Sequence, residues 1–395
     1  MSKIHNILIV ADLYYPQING CAYFAQRLAK SLSIKGHNIL VIAPSESLAY
    51  TLNTINGIKV FGVRSYPILF YPGFRFCLAP AYNKRIAKIV LNFAPDIIHC
   101  QFHLGVNRAV LKIAKFHDIP IIATNHFMPE TMVHYVPFAS IIGDWLLKMA
   151  WQDFAKVYNK MDLITTPTTT ASHLIARYFP DPVVPVSCGI DLELFKPGQN
   201  AQYLRERYRL KALPTLLYVG RLDKEKHVDF VINATAIAMR TLDLQLVIAG
   251  QGTQKDKLQQ LVIDLQIADL VRFTGFVPDV DLPYLYCLAD CFIIAGTAEL
   301  QSIVTMEAMA TALPILAVNA VALPELVLDG ENGYLFELND PHILAAKIKI
   351  ILADSNLKHR MSQKSYALIA EHSMSKILCQ YESIYRTHAK QCHNI

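Results

Sequence analysis

The chain has 395 residues, more than one ordinary core holds, which predicts two domains. Apolar residues make up 53% of it; strands buried on both faces of a parallel sheet would explain that, and so would membrane contact. The net charge of +5 is uneven: residues 1–190 carry 17 Lys and Arg against 9 Asp and Glu, and the remainder carries 20 against 23. A basic excess in one half suits an anionic surface or substrate, although cations scattered on a solvated face give the same count.

The opening stretch Met1-Ser-Lys-Ile-His-Asn-Ile-Leu-Ile-Val10 reads as a first strand, since its apolar run is too short for a signal peptide. Strand-like runs follow at 38–43, 59–63, 96–101, 119–124 and 163–167, with helical patterns at 20–35, 82–93 and 106–116 between them. Residues 180–198 hold Pro180, Pro182, Pro185 and Pro197-Gly198, and suit a connection between domains. The same grammar then resumes at 215–220, 245–250, 271–276, 291–295, 314–318 and 334–337. A last amphipathic helix is expected over 373–388. This alternation predicts an α/β protein of two doubly wound, Rossmann-like domains: 1–190, 191–370, and a C-terminal helix over 371–395 that crosses back to the first. No apolar stretch approaches the roughly 20 residues of a spanning helix. The eight cysteines include no C-x-x-C, and Cys287 and Cys291 have no second ligand pair, so no metal site is expected and a reducing cytoplasm is.

In open parallel sheets ligands bind beyond the carboxyl ends of the strands, so the exit loops carry the search. The run 215–220 exits into Arg221-Leu-Asp-Lys-Glu-Lys226, two cations suited to phosphate oxygens or a solvated charged loop. The run 245–250 exits into Gly250-Gln-Gly252, where glycine would let a ligand touch backbone; G-x-G-x-x-G and G-x-x-x-x-G-K-[ST] are both absent. Asp279 and Asp281 imitate a metal-binding D-x-D but read as a helix start. Glu299 follows the run 291–295, and Glu307 lies in a helical run over 302–311. Two carboxylates around a helix N-terminus can bracket a polyhydroxylated, phosphate-bearing ligand, or be two solvated acids. In the first half, Gly20 would open a helix, and Asn125-His126 leaves a strand, making His126 a candidate polar contact or proton carrier.

Together these loops resemble the family-four retaining glycosyltransferases, which have the GT-B fold: two Rossmann-like domains facing a deep cleft. The resemblance spans nearly the whole chain. It rests on the E-x7-E element Glu299–Glu307 with Ala308-Met-Ala-Thr-Ala-Leu-Pro314, Leu323-Pro-Glu-Leu-Val327 and Asp329-Gly-Glu-Asn-Gly-Tyr-Leu-Phe336, and on the Gly220-Arg221…Lys226, Gly275-Phe-Val and Gly189-Ile-Asp-Leu-Glu-Leu-Phe195 segments. It implies that Arg221 and Lys226 hold a donor diphosphate, Glu307 meets ribose hydroxyls, Glu299 contacts the transferred sugar, and amides near Ser302, Ile303 and Val304 meet sugar and phosphate oxygens. His126 would lie against the sugar, with Gly20, Gly250, Phe276, Val277 and Gln301 completing the donor site. It further implies transfer with retention and neither metal nor cofactor, the nucleotide sugar being a substrate. Three positions depart from the family pattern: Gly20-Cys21 for Gly-Gly, Gln301-Ser302 for Phe-Gly, and Ala312 for Gly.

The segments Tyr14-Tyr-Pro-Gln-Ile-Asn-Gly20 and Thr124-Asn-His-Phe-Met-Pro-Glu130 resemble bacterial enzymes that glycosylate diacylglycerol or phosphatidylinositol. The stretch Phe70-Tyr-Pro-Gly-Phe-Arg75 with Lys84, Arg85 and Lys88 mixes aromatics and cations as an interfacial segment does. A lipid acceptor, a cytoplasmic protein in peripheral contact with the inner face of an anionic membrane, and no nucleic-acid partner are the expectations. A soluble or polysaccharide-linked acceptor, or a non-catalytic sugar-nucleotide-binding protein, is the alternative. Trp145, Leu146, Met149 and Trp151 could add to that interfacial segment, but core packing of their helix is the expectation.

Overall fold

The structure is a computed structural model describing residues 4–17, 19–68, 75–77, 79–128 and 139–390. The chain divides into two compact units, Met1–Cys188 with Ser375–Ile395, and Gly189–Met374.

In the first unit eight of the described strands form one sheet, and Tyr66–Pro67 pairs separately with Arg75–Phe76. From edge to edge the sheet runs Val184–Pro185, Leu163–Thr166, Ile121–Thr124, Ile97–Cys100, Asn6–Val10, Asn38–Pro44, Ile58–Val63 and Thr51–Ile55. Successive side chains of a strand point to opposite faces, and Ile7 through Val10 are all fully buried, so both faces are covered. The neighbouring strands pair in parallel except Thr51–Ile55, which runs antiparallel to Ile58–Val63. Asn56 and Gly57, at φ 50° and 83°, supply the left-handed pair that a tight hairpin turn needs. The Asn-Gly dipeptide was the signal for this strand, which the sequence reading passes over.

The last helix, Met374–His388, belongs mostly to this first unit. Its buried Tyr385 places its hydroxyl 2.8 Å from His99 Nδ1, and Tyr381 places its own 3.2 Å from Thr124 Oγ1. His37 Nε2 and Glu382 Oε1 add a contact of 3.2 Å.

The second unit holds a parallel sheet in the order Val271–Gly275, Gln245–Ala249, Thr215–Val219, Cys291–Ile294, Ile315–Val318, Gly333–Phe336. Strand order reverses between Thr215–Val219 and Cys291–Ile294, and in the first sheet between Asn6–Val10 and Ile97–Cys100. Those two reversals are where a ligand crevice forms in sheets of this kind.

Candidate functional site

The two acidic and basic segments of the second unit leave the adjacent strands at its switch point. Arg221 follows Thr215–Val219 and donates from Nη1 to Asp223 Oδ2 at 2.5 Å and from Nη2 to Glu225 Oε1 at 2.8 Å. Both acids are nearly fully buried. Asp223 also accepts from the amide and hydroxyl of Thr253, each at 3.0 Å, which ties in the loop after Gln245–Ala249. Lys226 Nζ donates to Glu299 Oε1 at 2.6 Å, and both side chains are 17% exposed. This pair joins the exit of one central strand to the exit of the other. The alternative of a solvated charged loop is not what the fold builds, since Asp223, Glu225 and Glu299 surround Arg221 and Lys226 in a charge-compensated cluster.

Two glycines shape the cluster. A Cβ on Gly250 would fall 1.8 Å from the Gly220 carbonyl oxygen, and its φ is 145°. The close approach that Gly250 permits within the fold is that of the neighbouring exit loop's backbone. Gly296, which the sequence reading leaves out, lies just past Cys291–Ile294; a Cβ there would meet Glu299 Oε1 at 2.8 Å and Lys226 Cδ at 3.3 Å. The only local hint of it was a glycine at a strand exit.

Ser302 caps the helix Ile303–Ala310, its Oγ accepting from the Thr305 amide at 3.3 Å and from Thr305 Oγ1 at 2.8 Å. The amides of Ile303 and Val304 open the first turn, where helical N–H groups lack intrahelical acceptors and favour an anion. Glu307 Oε2 accepts from Tyr286 Oη at 3.0 Å, and that hydroxyl lies 3.2 Å from the Val304 carbonyl. Tyr286, fully buried on another helix, therefore fixes Glu307; nothing near Glu307 in sequence signals it. Gln301 and Val277 are buried, whereas the Phe276 ring is 44% exposed.

Asp281 stands at the N-cap of the helix Leu282–Tyr286, where the sequence places a helix start, but its side chain makes no cap bond there. It accepts from Tyr203 Oη at 2.7 Å and Arg207 Nη1 at 2.5 Å, because a cation and a hydroxyl on the helix Gln202–Arg207 outcompete backbone amides for it.

In the first unit, Gly20 is the exposed first residue of the helix Gly20–Ile34, capped by Asn19, which accepts from the Ala22 amide at 2.9 Å. Cys21 turns inward, its Sγ 3.5 Å from the Gln101 carbonyl. His126, half-buried, puts Nε2 3.1 Å from Gln101 Oε1 and packs its ring 5.0 Å from that of Phe24. Burial pushes His126 down to about 3, so its imidazole is neutral near pH 7. A neutral imidazole has one nitrogen that donates and one that accepts, as a polar contact needs. Asp12 accepts from the Leu104 amide (2.9 Å), the Val106 amide (3.0 Å) and Asn107 Nδ2 (2.8 Å); burial outweighs these bonds and raises it to about 6.

Of the basic stretch, Phe70 to Phe74 lie outside the described residues. Arg75 is not an open cation: it donates from Nε to Ser65 Oγ at 2.7 Å and from Nη2 to the Ser65 carbonyl at 3.0 Å. Lys84, Arg85 and Lys88 are exposed on the helix Ala79–Phe93, with the Arg85 guanidinium 4.5 Å over the Tyr50 ring. The core assignment of Trp145 and Met149 is corrected: they are 61% and 47% exposed on Ala139–Tyr158, because that helix buries a different face through Phe154, Val157 and Tyr158. Trp151 is partly buried and stacks on Tyr178 at 4.9 Å. Among the described residues no helix is long and apolar enough to cross a membrane.

With this geometry in place, the comparison with known families is decisive. The family described as Glycosyltransferase Family 4 matches residues 18–194, and Glycosyl transferases group 1 matches residues 203–368. The chain belongs to the family-four glycosyltransferases. This glycosyltransferase is 26% identical over 373 residues to an alpha-monoglucosyldiacylglycerol synthase of Streptococcus pneumoniae, covering 92% of this chain and 82% of that one. It is 28% identical over 341 residues to a GDP-mannose-dependent alpha-mannosyltransferase of Mycobacterium tuberculosis, covering 85% and 84%. Its fold matches a sucrose-phosphate synthase of Thermosynechococcus elongatus at a TM-score of 0.79 and 17% identity, over 96% and 98% of the two chains. The glycosyltransferase has the GT-B fold and uses a nucleotide sugar.

Proposed function

We propose that the enzyme transfers a hexose, with retention, from a UDP- or GDP-linked donor to a hydroxyl of a membrane glycerolipid, without a metal or cofactor. The observation that carries the donor half is the 2.6 Å Lys226–Glu299 pair joining the two strand exits at the second unit's switch point. A sugar diphosphate resolves that pair into two ligands: Lys226 turns to the diphosphate, and Glu299 to the sugar hydroxyls. Arg221, pre-oriented by Asp223 and Glu225, adds a second cation, and the Ile303–Ala310 N-terminus adds amides. These groups stabilise the charge that grows on the departing diphosphate, which is what a metal would otherwise do. Glu307, held by Tyr286, takes the ribose hydroxyls, and Phe276 offers an exposed ring beside Gly275. The anomeric C–O bond to the diphosphate breaks as the acceptor hydroxyl attacks from the same face and gives its proton to the departing diphosphate oxygen, so the configuration is kept. His126, neutral, serves as the first unit's polar contact to substrate.

Two features support a lipid acceptor: exposed Lys84, Arg85 and Lys88, and exposed Trp145 and Met149, all on the basic first unit, with the diacylglycerol-based name of the Streptococcus relative beside them. The test is a transfer screen of UDP- and GDP-hexoses with diacylglycerol or glucosyldiacylglycerol in anionic vesicles. A lipid product that keeps the anomeric configuration is expected. Efficient transfer to a water-soluble acceptor, with none to lipid, would replace the lipid reading.

A further inference from the structure

Gln101 leaves the end of Ile97–Cys100, one of the two strands at the first unit's switch point, and is fully buried. Its Oε1 is 3.1 Å from His126 Nε2, while its Nε2 is a buried nitrogen with no partner among the described residues. Buried amides are nearly always paired on both sides, so a lone one needs a reason. The polar contact that its side chain does make is to the imidazole.

His126 is gripped from two further directions. Asn125 Oδ1 accepts from the Phe127 amide at 2.8 Å and Asn125 Nδ2 donates to the Phe127 carbonyl at 3.2 Å, closing the backbone around residue 126. The Phe24 ring packs against the imidazole. Neither contact tells one ring nitrogen from the other, and the Gln101 bond does. With the Gln101 oxygen turned to the ring, the neutral imidazole carries its proton on Nε2 and its lone pair on Nδ1.

We infer that Gln101 is a positioning residue for the transfer reaction, fixing His126 as the Nε2–H tautomer so that Nδ1 accepts a hydrogen bond from a substrate hydroxyl. This rests on the reading of His126 as a substrate contact. In this role Gln101 acts through its oxygen, on the ring. Cys21, the departure from the family's Gly-Gly, lies against the same residue through the Gln101 carbonyl, 3.5 Å from its Sγ.

The experiment combines nuclear magnetic resonance of 15N-histidine-labelled enzyme with kinetics on Gln101→Leu, Gln101→Glu, His126→Ala and the double variant Gln101→Leu with His126→Ala. The wild type should show His126 as the Nε2–H tautomer through pH 6–8. Gln101→Leu should release it into a mixture of tautomers and lower kcat about 10-fold or more with donor KM little changed, the cost of a misplaced contact. Gln101→Glu keeps the accepting oxygen, so it should keep the Nε2–H form and move the acid limb of the pH profile upward. In the His126→Ala background Gln101→Leu should add almost nothing. A wild-type Nδ1–H ring, an unchanged tautomer in Gln101→Leu, or additive losses in the double variant would each overturn the inference. Wild-type turnover by His126→Ala would instead remove the substrate contact itself, while the spectrum still decides whether Gln101 sets the tautomer. Should Gln101→Leu not fold, the wild-type spectrum and Gln101→Glu carry the same decision.

Discussion

At the switch point of the second sheet the exit loops carry paired charges, and at that of the first they carry buried neutral polar groups. Arg221, Asp223, Glu225, Lys226 and Glu299 form the first kind of site. Gln101, His103 and His126 form the second, and the one acid beside them, Asp12, is a carboxylate near pH 7 held by the Leu104 and Val106 amides and by Asn107. Charges held by one another keep a cluster poised for an anion that can replace one partner. Neutral donors and acceptors held by burial suit a hydroxyl, which brings no charge to compensate. The difference matches a diphosphate donor on one unit and an uncharged hydroxyl on the other.

The strongest attack on this contrast is on the cations. Lys226→Ala and Arg221→Ala should each lower kcat/KM for the donor by about 10- to 100-fold, the worth of a charge-assisted hydrogen bond of roughly 1.5–3 kcal/mol. Arg221→Ala should also lower the melting temperature more than Lys226→Ala does, because it strands two buried acids, Asp223 and Glu225, and not one partly exposed Glu299. Normal donor affinity in the doubly substituted enzyme would remove the diphosphate role.

Acid separates the units next. Burial pushes His99, His103 and His126 each down to about 3. The unfolded chain protonates them near 6.5, so their support for the fold is full above that pH and is lost as pH falls towards 3. Asp12, raised to about 6, works the other way: between about 6 and 4 the folded state holds its proton and the unfolded state does not. Three protons against one leave a net uptake of about two on unfolding of the first unit near pH 5. Hydrogen exchange at pH 7.5 and 5.5, corrected for intrinsic rates, should show the first sheet opening more readily at the lower pH. Equal protection at both would contradict the burial of these histidines.

A smaller effect sharpens the geometry of the second site. Gly250→Ala drives a Cβ into the Gly220 carbonyl, so the exit loops must part, destabilising the unit by about 1–3 kcal/mol and loosening donor binding. Chemical denaturation and donor titration read both. Weaker still is surface charge: reversing Lys84, Arg85 and Lys88 should cost on the order of 1 kcal/mol each in binding to anionic vesicles, fading at high salt. Donor affinity should not move. EDTA should leave turnover unchanged; activity lost to EDTA and restored by magnesium would overturn the metal-free proposal.

Much of this was legible in the sequence, for a physical reason. Fully apolar runs such as Ile7–Val10 have no alternative to a sheet covered on both faces, and their alternation with helical patterns dictates parallel order. The charged exits at Arg221, Lys226, Glu299 and Glu307 could be found because loops at strand ends are short and local. What was not legible depends on residues far apart in the chain. Tyr286 reaches Glu307 across 21 positions, Gln101 reaches His126 across 25, and Lys226 meets Glu299 across 73. Charge alone therefore leaves a solvated loop as an alternative where the fold supplies partners. The exposure of Trp145 and Met149 escaped as well, because a helix this apolar does not declare which of its faces is buried.

The central claim is that the Lys226–Glu299 pair opens to receive the donor, and Glu299→Gln tests it most directly. Removing that carboxylate's charge frees Lys226, so calorimetric titration with UDP and GDP should show the preferred diphosphate bound more tightly than by wild type, while hexose transfer falls sharply. Unchanged diphosphate affinity together with full transfer would contradict the account.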